Sequence, residues 1–468
     1  MVNTVNKNKI PQKVIDLMNC IMSEGYEIYL VGGCVRDMIM GKEPHDFDFC
    51  TNAEPDVLVK IYQKNDFGIN PKGIEYGTVT AVIKNEEFEV TTYREDLDYT
   101  DSRHPEGVNY TQSLVSDLSR RDFTINAIAY NPITDEIVDP FDGVNDIRNK
   151  VIRTVRNPQD RFQEDALRIM RGLRFAITLG FDIEQNTFEA MLANKALLVD
   201  KVSKERVTDE FKKTFKSNMP VSEWFMRGAP IIFTLIPELK VCYNFDQNNK
   251  YHHNDVYKHL LAVVDFCDTT KFEVKMAALL HDIGKPATYV TDEQGKGHFY
   301  GHPEVSFEIC KQIFATDFRL SNDEEKAISN LIRYHDIEIP LNAKSVRRVL
   351  NKHGQEFFDD YLVLHKADVA DHVLPPNCTE EWTRVDELKE IYETVLEEDS
   401  CFKISDLAIN GKDVMEIGKI KSGPLVGSVL NHLLNEVMDQ NIENTRMALV
   451  NETMSFLTTQ NNLNSLLD

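Results

Sequence analysis

No stretch of this chain approaches the run of about eighteen apolar residues that a membrane-spanning helix needs, so no membrane partner is expected. The opening stretch MVNTVNKNKIPQKVIDLMNC lacks the apolar centre of a secretory signal. Cysteine is sparse: eight residues, at 20, 34, 50, 242, 267, 310, 378 and 401, with no CxxC spacing. In a long chain that pattern fits free thiols in a reducing compartment, and the expected location is cytoplasmic. Positive charge is short as well. Lys and Arg number 52 against 76 Asp and Glu, a net charge of −24. Phosphate contacts need Lys and Arg. The bulk charge therefore argues against a general nucleic-acid binder, DNA is not an expected partner, and any RNA must be met by basic residues gathered locally. Internal repeats and low-complexity tracts are missing too.

What is present is a globular composition, 42% hydrophobic and 27% charged. At 468 residues the chain is too long for one hydrophobic core. Residues 25–145 read as α/β. EIYLVGG is expected as a strand, VRDMIM as a short helix closed by Gly41, and HDFDFCT as a second strand. TVTAVIK and EEFEVTTYR alternate and should pair as a hairpin through Asn85-Glu86. SLVSDLSRRDFTINAIAY is expected to be helical with Ser113 as its N-cap. From 158 to 240 the pattern is wholly helical, and 250–372 is helical again but studded with His and Asp. LPPNC at 374–378 breaks the chain, and KSGPLVG at 421–427 punctuates a last helical segment.

An aspartate inside a strand weakens it. Side chains alternate along a strand, so Asp46 and Asp48 should share one face while Phe47 and Phe49 point to the core. Two carboxylates so placed can bridge two Mg²⁺ ions ~3.5–4 Å apart, activating an attacking hydroxyl and steadying a leaving pyrophosphate. Glu89, alternating against Phe88 and Val90, can add a third ligand from a neighbouring strand. Gly32 and Gly33 let backbone come close to a triphosphate, the next helix offers N–H groups, and Arg36 can pair with phosphate oxygens. A DxD pair alone is more often a solvated strand face. Strand, two glycines, helix and DxD in this order is far more specific.

These residues resemble the nucleotidyltransferase superfamily, and within it the class II tRNA nucleotidyltransferase (CCA-adding) and bacterial poly(A) polymerase family. The family's first motif is matched by LVGGCVRDMIMGKEPHDFDF and its second by RRDFTINAIAY (120–130). Its third is matched by DPFDGVNDI (139–147) and its fourth by EDALRIMRGLRFA (164–176), all in family order. In RFQEDALRIMRGLRF, which overlaps the last, Phe162, Ala166, Ile169 and Leu173 recur at i, i+4, i+7 and i+11 as a core stripe of one helix. Off that stripe, Asp165 and Arg168 are neighbours at i, i+3, which alone would read as an ion pair. The resemblance implies that they act as a protein template selecting the incoming C or A, with Arg171 nearby. It further implies that Asp122 reads the ribose 2′-hydroxyl, that Arg121 contacts phosphate, and that Asn126 belongs to the same nucleotide-binding set. DPFDG would couple the head to the selecting helix. The irregular segment after Arg94, crowded with Asp, Arg and Pro, is expected as a functional loop. In the family such a loop is needed for the final A, which weighs against a CC-only enzyme.

For RNA, KVSKERVTDEFKKTFK (201–216), the cluster Lys344, Arg347, Arg348 and Lys352, and Lys419 with Lys421 before SGPLVG form an expected track for a tRNA acceptor arm. The tail resembles the C-terminal segment of bacterial family members. A second chemistry is written in KHLLAVVDF, LLHDIGK and LVLHKADVADH, which supply His259, His281, Asp282 and Asp368. That ordered series resembles the HD-domain phosphohydrolase signature. His302 and His335 supply the extra imidazoles of two-metal HD sites. Imidazole with carboxylate suits Mn, Ni, Fe or Mg. The resemblance implies phosphatase or 2′,3′-cyclic phosphodiesterase action on RNA ends; the alternative is a metal-free structural HD fold.

The chain is thus expected to be a multidomain α+β enzyme. A polymerase-beta-like head with a small, five-stranded mixed sheet spans 1–150. A helical neck that selects the base and binds RNA spans 151–245, an HD domain 246–375, and a tRNA-binding helical tail 376–468. The expected reaction adds CCA to the tRNA 3′ end from CTP and ATP, with Mg²⁺ and without a nucleic-acid template. The rivals are an A-adding-only or poly(A)-making enzyme, a protein-modifying nucleotidylyltransferase, and an RNA-binding scaffold with an inactive head.

Overall fold

The computed structural model describes residues 10–96, 108–248, 254–371, 377–398 and 403–464. The expected loop after Arg94 lies almost wholly outside the described residues, as does the start of LPPNC. The chain divides into two compact units, Met1–Lys240 with Ile313–Arg319, and Val241–Gln312 with Leu320–Asp468.

In the first unit, α1 (Gln12–Ser23) buries Val14, Leu17, Met18 and Ile21, the spacing of one helical face. Strand β1 (Ile28–Val31), buried along its whole length, runs into α2 (Gly33–Ile39). Next come β2 (Asp48–Thr51), α3 (Pro55–Lys64), β3 (Gly68–Asn70), β4 (Thr78–Ile83) and β5 (Glu86–Thr92). They are followed by β6 (Arg94–Asp96), β7 (Val108–Tyr110), α4 (Leu114–Ser119), β8 (Ala129–Asn131), β9 (Glu136–Val138) and α5 (Gly143–Asn149). The mixed sheet has seven strands rather than five, in the order β3-β4-β5-β2-β1-β8-β9. Its β2–β5 pairing is parallel and its other pairings are antiparallel. Strands β6 and β7 form a separate ribbon.

Two local readings change. Ser113 does cap α4, its Oγ accepting from the Ser116 N–H, but the helix ends at Ser119. Beyond it Phe123 is extended and bridges to Thr154, and β8 begins six residues later. Residues 122–131 are buried without interruption, so neither a period of 3.6 nor one of 2 marks them. The β4–β5 turn is Lys84-Asn85, one residue earlier than expected, both at positive φ (50° and 66°) as a type I′ turn requires.

The two-residue strands β10 (Val151–Ile152) and β11 (Asp182–Ile183) pair in parallel, an exception to the helical pattern beyond 158. The single helix expected over RFQEDALRIMRGLRF is two, α6 (Pro158–Glu164) and α7 (Leu167–Leu179), parted at Asp165 in extended conformation (φ −144°, ψ 101°). Phe162, Ala166, Ile169 and Leu173 are nonetheless all buried. Helices α8 (Gln185–Asn194), α9 (Leu197–Lys201), α10 (Lys204–Lys216), α11 (Ser222–Arg227) and α12 (Ala229–Leu235) follow. Helix α10 packs on α7, with buried Glu210 bound to Arg174 at 2.6 Å.

The second unit opens with α13 (Val256–Phe266), α14 (Phe272–Leu280) and α15 (Lys285–Thr288). A small hairpin, β12 (Val290–Thr291) with β13 (Gly297–His298), interrupts the expected all-helical run. Then come α16 (His302–Thr316), α17 (Asn322–Tyr334), α18 (Ala343–His353), α19 (Gln355–Ala370) and α20 (Asn377–Glu398). Helices α13, α14, α17 and α19 pack on one another, and α20 lies on α18 and α19, so this helical body continues past residue 375. Helices α21 (Gly411–Gly418), α22 (Pro424–Met438) and α23 (Arg446–Asn464) enclose their own core of Val414, Val429, Leu433 and Leu449.

Gly143 at the start of α5 admits no side chain, because a Cβ there would lie 2.2 Å from the Thr124 carbonyl oxygen. Backbone cannot yield as a side chain can. Gly143→Ala should lower stability by roughly 1–3 kcal/mol, the usual cost of overpacking. Gly427→Ala, with open space around it inside α22, should be neutral or stabilising by up to about 1 kcal/mol. Thermal unfolding of the two variants beside the parent checks the contrast.

Candidate active site and metal centre

The turn from β1 into α2 places Gly32 at φ +77°, a conformation only glycine adopts freely. A Cβ there would lie 3.4 Å from Arg121 Nη1 and 3.8 Å from Asp48 Oδ2, so this turn, Asp48 and Arg121 form one corner. Asp48 heads β2 and pairs with Val31, whereas Asp46 precedes the strand and Phe47 is only half-buried; the strand face expected to hold both aspartates is shorter than expected. In the parallel register Phe49 pairs with Val90, which sets Asp48 level with Glu89 on the opposite face from the buried pair. All three carboxylates reach solvent and line a recess of about 850 Å³. Protein packed around Asp48 pushes its carboxyl above the ordinary range; Arg121 opposes this, and Glu89 and Asp46 add to it.

Behind this corner runs a chain of polar contacts. Gly33 at the helix start adjoins Arg36, with a Cβ there 3.6 Å from Arg36 Nη2. Arg36 binds Asp37, and its Nη1 donates to Asn126 Oδ1 at 2.9 Å. Asn126 Nδ2 donates to Asp122 Oδ1 at 3.2 Å, and Asp122 Oδ2 accepts from Arg171 Nε at 2.8 Å and Nη2 at 2.6 Å. The Phe123 N–H completes the set on Oδ1 at 2.8 Å. Burial alone would raise Asp122, but the charge and hydrogen bonds of Arg171 prevail and hold it at about 2. The guanidiniums of Arg36, Arg171 and Arg174 all lie over the ring of Phe175. With its acceptor positions filled, Asp122 can meet a ribose hydroxyl only if one present donor leaves.

Asp165 and Arg168 do not pair. Arg168 is buried; Nη1 donates to Glu164 at 2.9 Å and to the Arg161 carbonyl at 3.1 Å, and Nη2 to the Arg120 carbonyl at 2.9 Å. Asp165 instead meets Arg206 of α10, Oδ1 with Nη1 at 3.2 Å and Oδ2 with Nη2 at 2.9 Å, while Oδ1 also accepts from Leu167 N at 3.1 Å. Sequence reading took Arg206 only as one member of a basic patch and passed over Asp117, which binds Arg120 at 2.9 Å and Arg121 at 3.5 Å from full burial. The i, i+3 and i, i+4 spacings of Asp117 were the available signal. The second expected RNA cluster is partly engaged within the protein, although Lys344, Arg348 and Lys352 stay exposed. Lys344 and Arg348 bind Asp439, Arg347 is buried, and Lys352 lies over the Tyr334 ring. Lys201, Lys204, Lys213 and Lys216, and Lys419 and Lys421, stay exposed.

In the second unit all six expected residues converge. His259 Nε2 lies 3.2 Å from both Asp282 Oδ2 and Asp368 Oδ1, and His281 Nε2 lies 3.3 Å from Asp282 Oδ2. His302 Nε2 lies 3.0 Å and His335 Nε2 3.5 Å from Asp282 Oδ1. Two groups thus share Asp282, one with His259 and His281, the other with His302 and His335, their ligand atoms within 4.8 Å of one another. The opposite ring nitrogens are tied back: Nδ1 of His281, His302 and His335 to the carbonyls of Ala278, Phe299 and Ile332, and Nδ1 of His259 to Asp371 at 2.8 Å. A carbonyl can only accept, so each of those Nδ1 atoms carries a proton, and Nε2 faces inward.

His281 Nε2 and Asp282 Oδ1 are buried and make no hydrogen bond of good geometry. Burial opposes charge on His259 and His281, yet the surrounding aspartates push them up to about 10 and about 9. Burial would raise Asp282, but Lys285 at 2.5 Å and His281 hold it well below the usual range. Inward-facing imidazole nitrogens around one shared carboxylate are, once a cation displaces their protons, the donor set of a divalent cation pair, and the residues fit one. Asp371 and Lys285 were not anticipated, although Asp371 stands one turn after Asp368.

The profile of the Poly A polymerase head domain matches residues 28–153. That of the probable RNA and SrmB-binding site of polymerase A matches 180–225, and that of tRNA nucleotidyltransferase domain 2 (putative) matches 310–453. The CCA-adding enzyme of Streptococcus suis (strain 05ZYH33) is 30% identical over 456 residues, covering 95% of this chain and 97% of that protein. The CCA-adding enzyme of Enterococcus faecalis (strain ATCC 700802 / V583) is 47% identical over 193 residues, 41% of this chain and 46% of that protein. The crystal structure of the Bacillus stearothermophilus CCA-adding enzyme in complex with CTP aligns over 96% of this chain and 98% of that one, at 26% identity and a TM-score of 0.71. The Thermotoga maritima CCA-adding enzyme complexed with tRNA_CCA shares the fold at 16% identity and a TM-score of 0.58, covering 97% of this chain and 98% of that one.

A cation that binds the folded histidine cluster must stabilise it by mass action, by about 2.7 kcal/mol at a hundredfold excess over Kd. Chelator-treated protein titrated with Mn²⁺ or Ni²⁺ should therefore gain several degrees in unfolding temperature. His281→Ala should lose most of that gain. An unchanged melting curve at millimolar metal would mark the cluster as structural.

Proposed function

The chain belongs to the class II CCA-adding enzyme and poly(A) polymerase family and is a tRNA nucleotidyltransferase; from that premise we propose that it builds the CCA end of tRNA from CTP and ATP without a nucleic-acid template. Similarity to CCA-adding enzymes over 95% of the chain carries this reading. The polar chain from the glycine turn to Arg171 supports it, because it ties the corner holding Asp48 to the helix that follows Asp165.

In this reading the triphosphate lies along the Gly32 turn, with Arg121 against its phosphates. Asp46 and Asp48, with Glu89 alongside, hold Mg²⁺, which when bound eases deprotonation of the RNA 3′-hydroxyl and neutralises the departing pyrophosphate. The raised Asp48 carboxyl suits this task, since an acid crowded by protein and by neighbouring acids gains charge compensation from a cation. Asp122 takes the ribose 2′-hydroxyl in exchange for one of its donors. Asp165 meets the base edge, with Arg168 fixed beside it by Glu164 and Arg171 behind. The exposed lysines of α10 and Lys419 with Lys421 meet the phosphates of the acceptor arm.

We further propose that the histidine cluster binds two divalent cations at His259, His281, Asp282, His302, His335 and Asp368 and hydrolyses phosphate esters at RNA ends. When bound, the cations supply a hydroxide at neutral pH. The protein holds each histidine by its far nitrogen and keeps Lys285 against Asp282.

A tRNA ending at its discriminator base should be extended by three nucleotides with CTP and ATP and by two with CTP alone, and Asp48→Ala should abolish both while its circular dichroism is unchanged. If that tRNA takes no C while one already ending in CC takes A, the activity is A addition instead. Separately, Asp282→Ala should remove metal-dependent hydrolysis of an RNA 2′,3′-cyclic phosphate and spare extension, because the two sites belong to different compact units. Equal loss of both activities would contradict their independence.

A further inference from the structure

We propose that Arg206 is a positioning residue that determines base choice by fixing the carboxylate of Asp165; this rests on the reading of Asp165 as the base-selecting group. A free aspartate rotates about its last bond and offers about four acceptor positions. Here three are used. Oδ1 accepts from Leu167 N and from Arg206 Nη1, and Oδ2 accepts from Arg206 Nη2. The two parallel N–H···O contacts hold the carboxylate in the guanidinium plane, a geometry that a lysine cannot reproduce. One acceptor position remains, on Oδ2.

A single fixed acceptor distinguishes the four bases in one way. Cytosine and adenine carry an exocyclic amino group, which donates, whereas uracil and guanine carry a carbonyl oxygen at the corresponding place, which only accepts. The one open position therefore takes an amino hydrogen from C or A and repels the oxygen of U or G. Were Arg206 absent, the carboxylate could turn and present other lone pairs, or take up a proton and donate one to U or G. Both partners are well placed for this role. Asp165 stands in the extended break between α6 and α7, so its side chain is not tied to a helical face. Arg206 rises from the first turn of α10, whose next turn is locked to α7 on the same face through Glu210 and Arg174. The pair retains about a fifth of its side-chain exposure, enough for a base to reach it (22% and 18%).

The test uses full-length protein, saturating tRNA and each nucleotide alone, reading kcat/KM for CTP against UTP and for ATP against GTP. Saturating tRNA keeps any effect of Arg206 on RNA binding out of the ratios. Arg206→Ala should lower both ratios by about tenfold or more, the weight of one hydrogen-bond constraint. Arg206→Lys should recover less than half of that loss on a logarithmic scale. Asp165→Ala should lower the ratios as well, and adding Arg206→Ala to it should change them no further. If Arg206→Ala slows all four nucleotides in parallel with both ratios unchanged, while Asp165→Ala lowers them, the assignment of Arg206 is overturned and it is only a structural tether. If Asp165→Ala itself leaves the ratios intact, the base-selection reading falls, and the role of Arg206 with it.

Discussion

The pairing of buried Asp122 with half-buried Arg171 is the constraint on which the first unit depends. Asp122 follows α4 and Arg171 lies on α7, and their two contacts join a residue of the sheet-bearing head to the helix that follows the selecting aspartate. Removing Arg171 would leave the buried carboxylate of Asp122 without its main counter-charge, a loss of about 3–5 kcal/mol. The remainder is arranged around that pair. Asn126 relays it to Arg36 in the helix after the glycine turn, and Phe175 lies under the guanidiniums of Arg36, Arg171 and Arg174. A nucleotide site built from separate segments needs such a fixed frame, since a displacement of an ångström between triphosphate and base contacts is costly.

The second unit solves a related problem differently. Its six inward-facing residues come from five places along the chain, and each histidine is held by its far nitrogen. Asp282 stands at the centre and touches both imidazole pairs. Glycine permits this closeness: a Cβ on Gly284 would lie 2.6 Å from the Ser306 backbone nitrogen, so α16 could not approach the HDIG turn otherwise. Electrostatics alone would leave the imidazoles charged among aspartates, and cations provide the same compensation with better geometry.

Much of this was legible in the sequence. The glycine turn, Asp48 with Glu89 across the sheet and the Ser113 cap follow from local spacing, which short elements obey, and the histidine cluster follows from its resemblance to the HD signature. Partner choice was not legible. Asp165 has Arg168 three residues away yet binds Arg206, 41 positions on, because the chain leaves the helix at Asp165. The apolar stripe of Phe162, Ala166, Ile169 and Leu173 stays buried whether or not the helix is broken, so it carried no warning. Lys344 and Arg348 read as a basic face, and nothing local announces that Asp439, at the end of a distant helix, lies beside them. Strand β8 escaped notice because a fully buried segment has no polar side to set its period, and β9, exposed or half-buried throughout, has only three residues to show one.

The central claim is that protein side chains, without RNA, select the base. Equilibrium binding of the four ribonucleoside triphosphates to the tRNA-free protein, by calorimetry in the presence of Ca²⁺ or Mg²⁺, tests it most directly. CTP and ATP should each bind at one site and compete with one another, and UTP and GTP should bind about tenfold more weakly or less. Equal affinity for all four, or independent sites for CTP and ATP, would contradict the account.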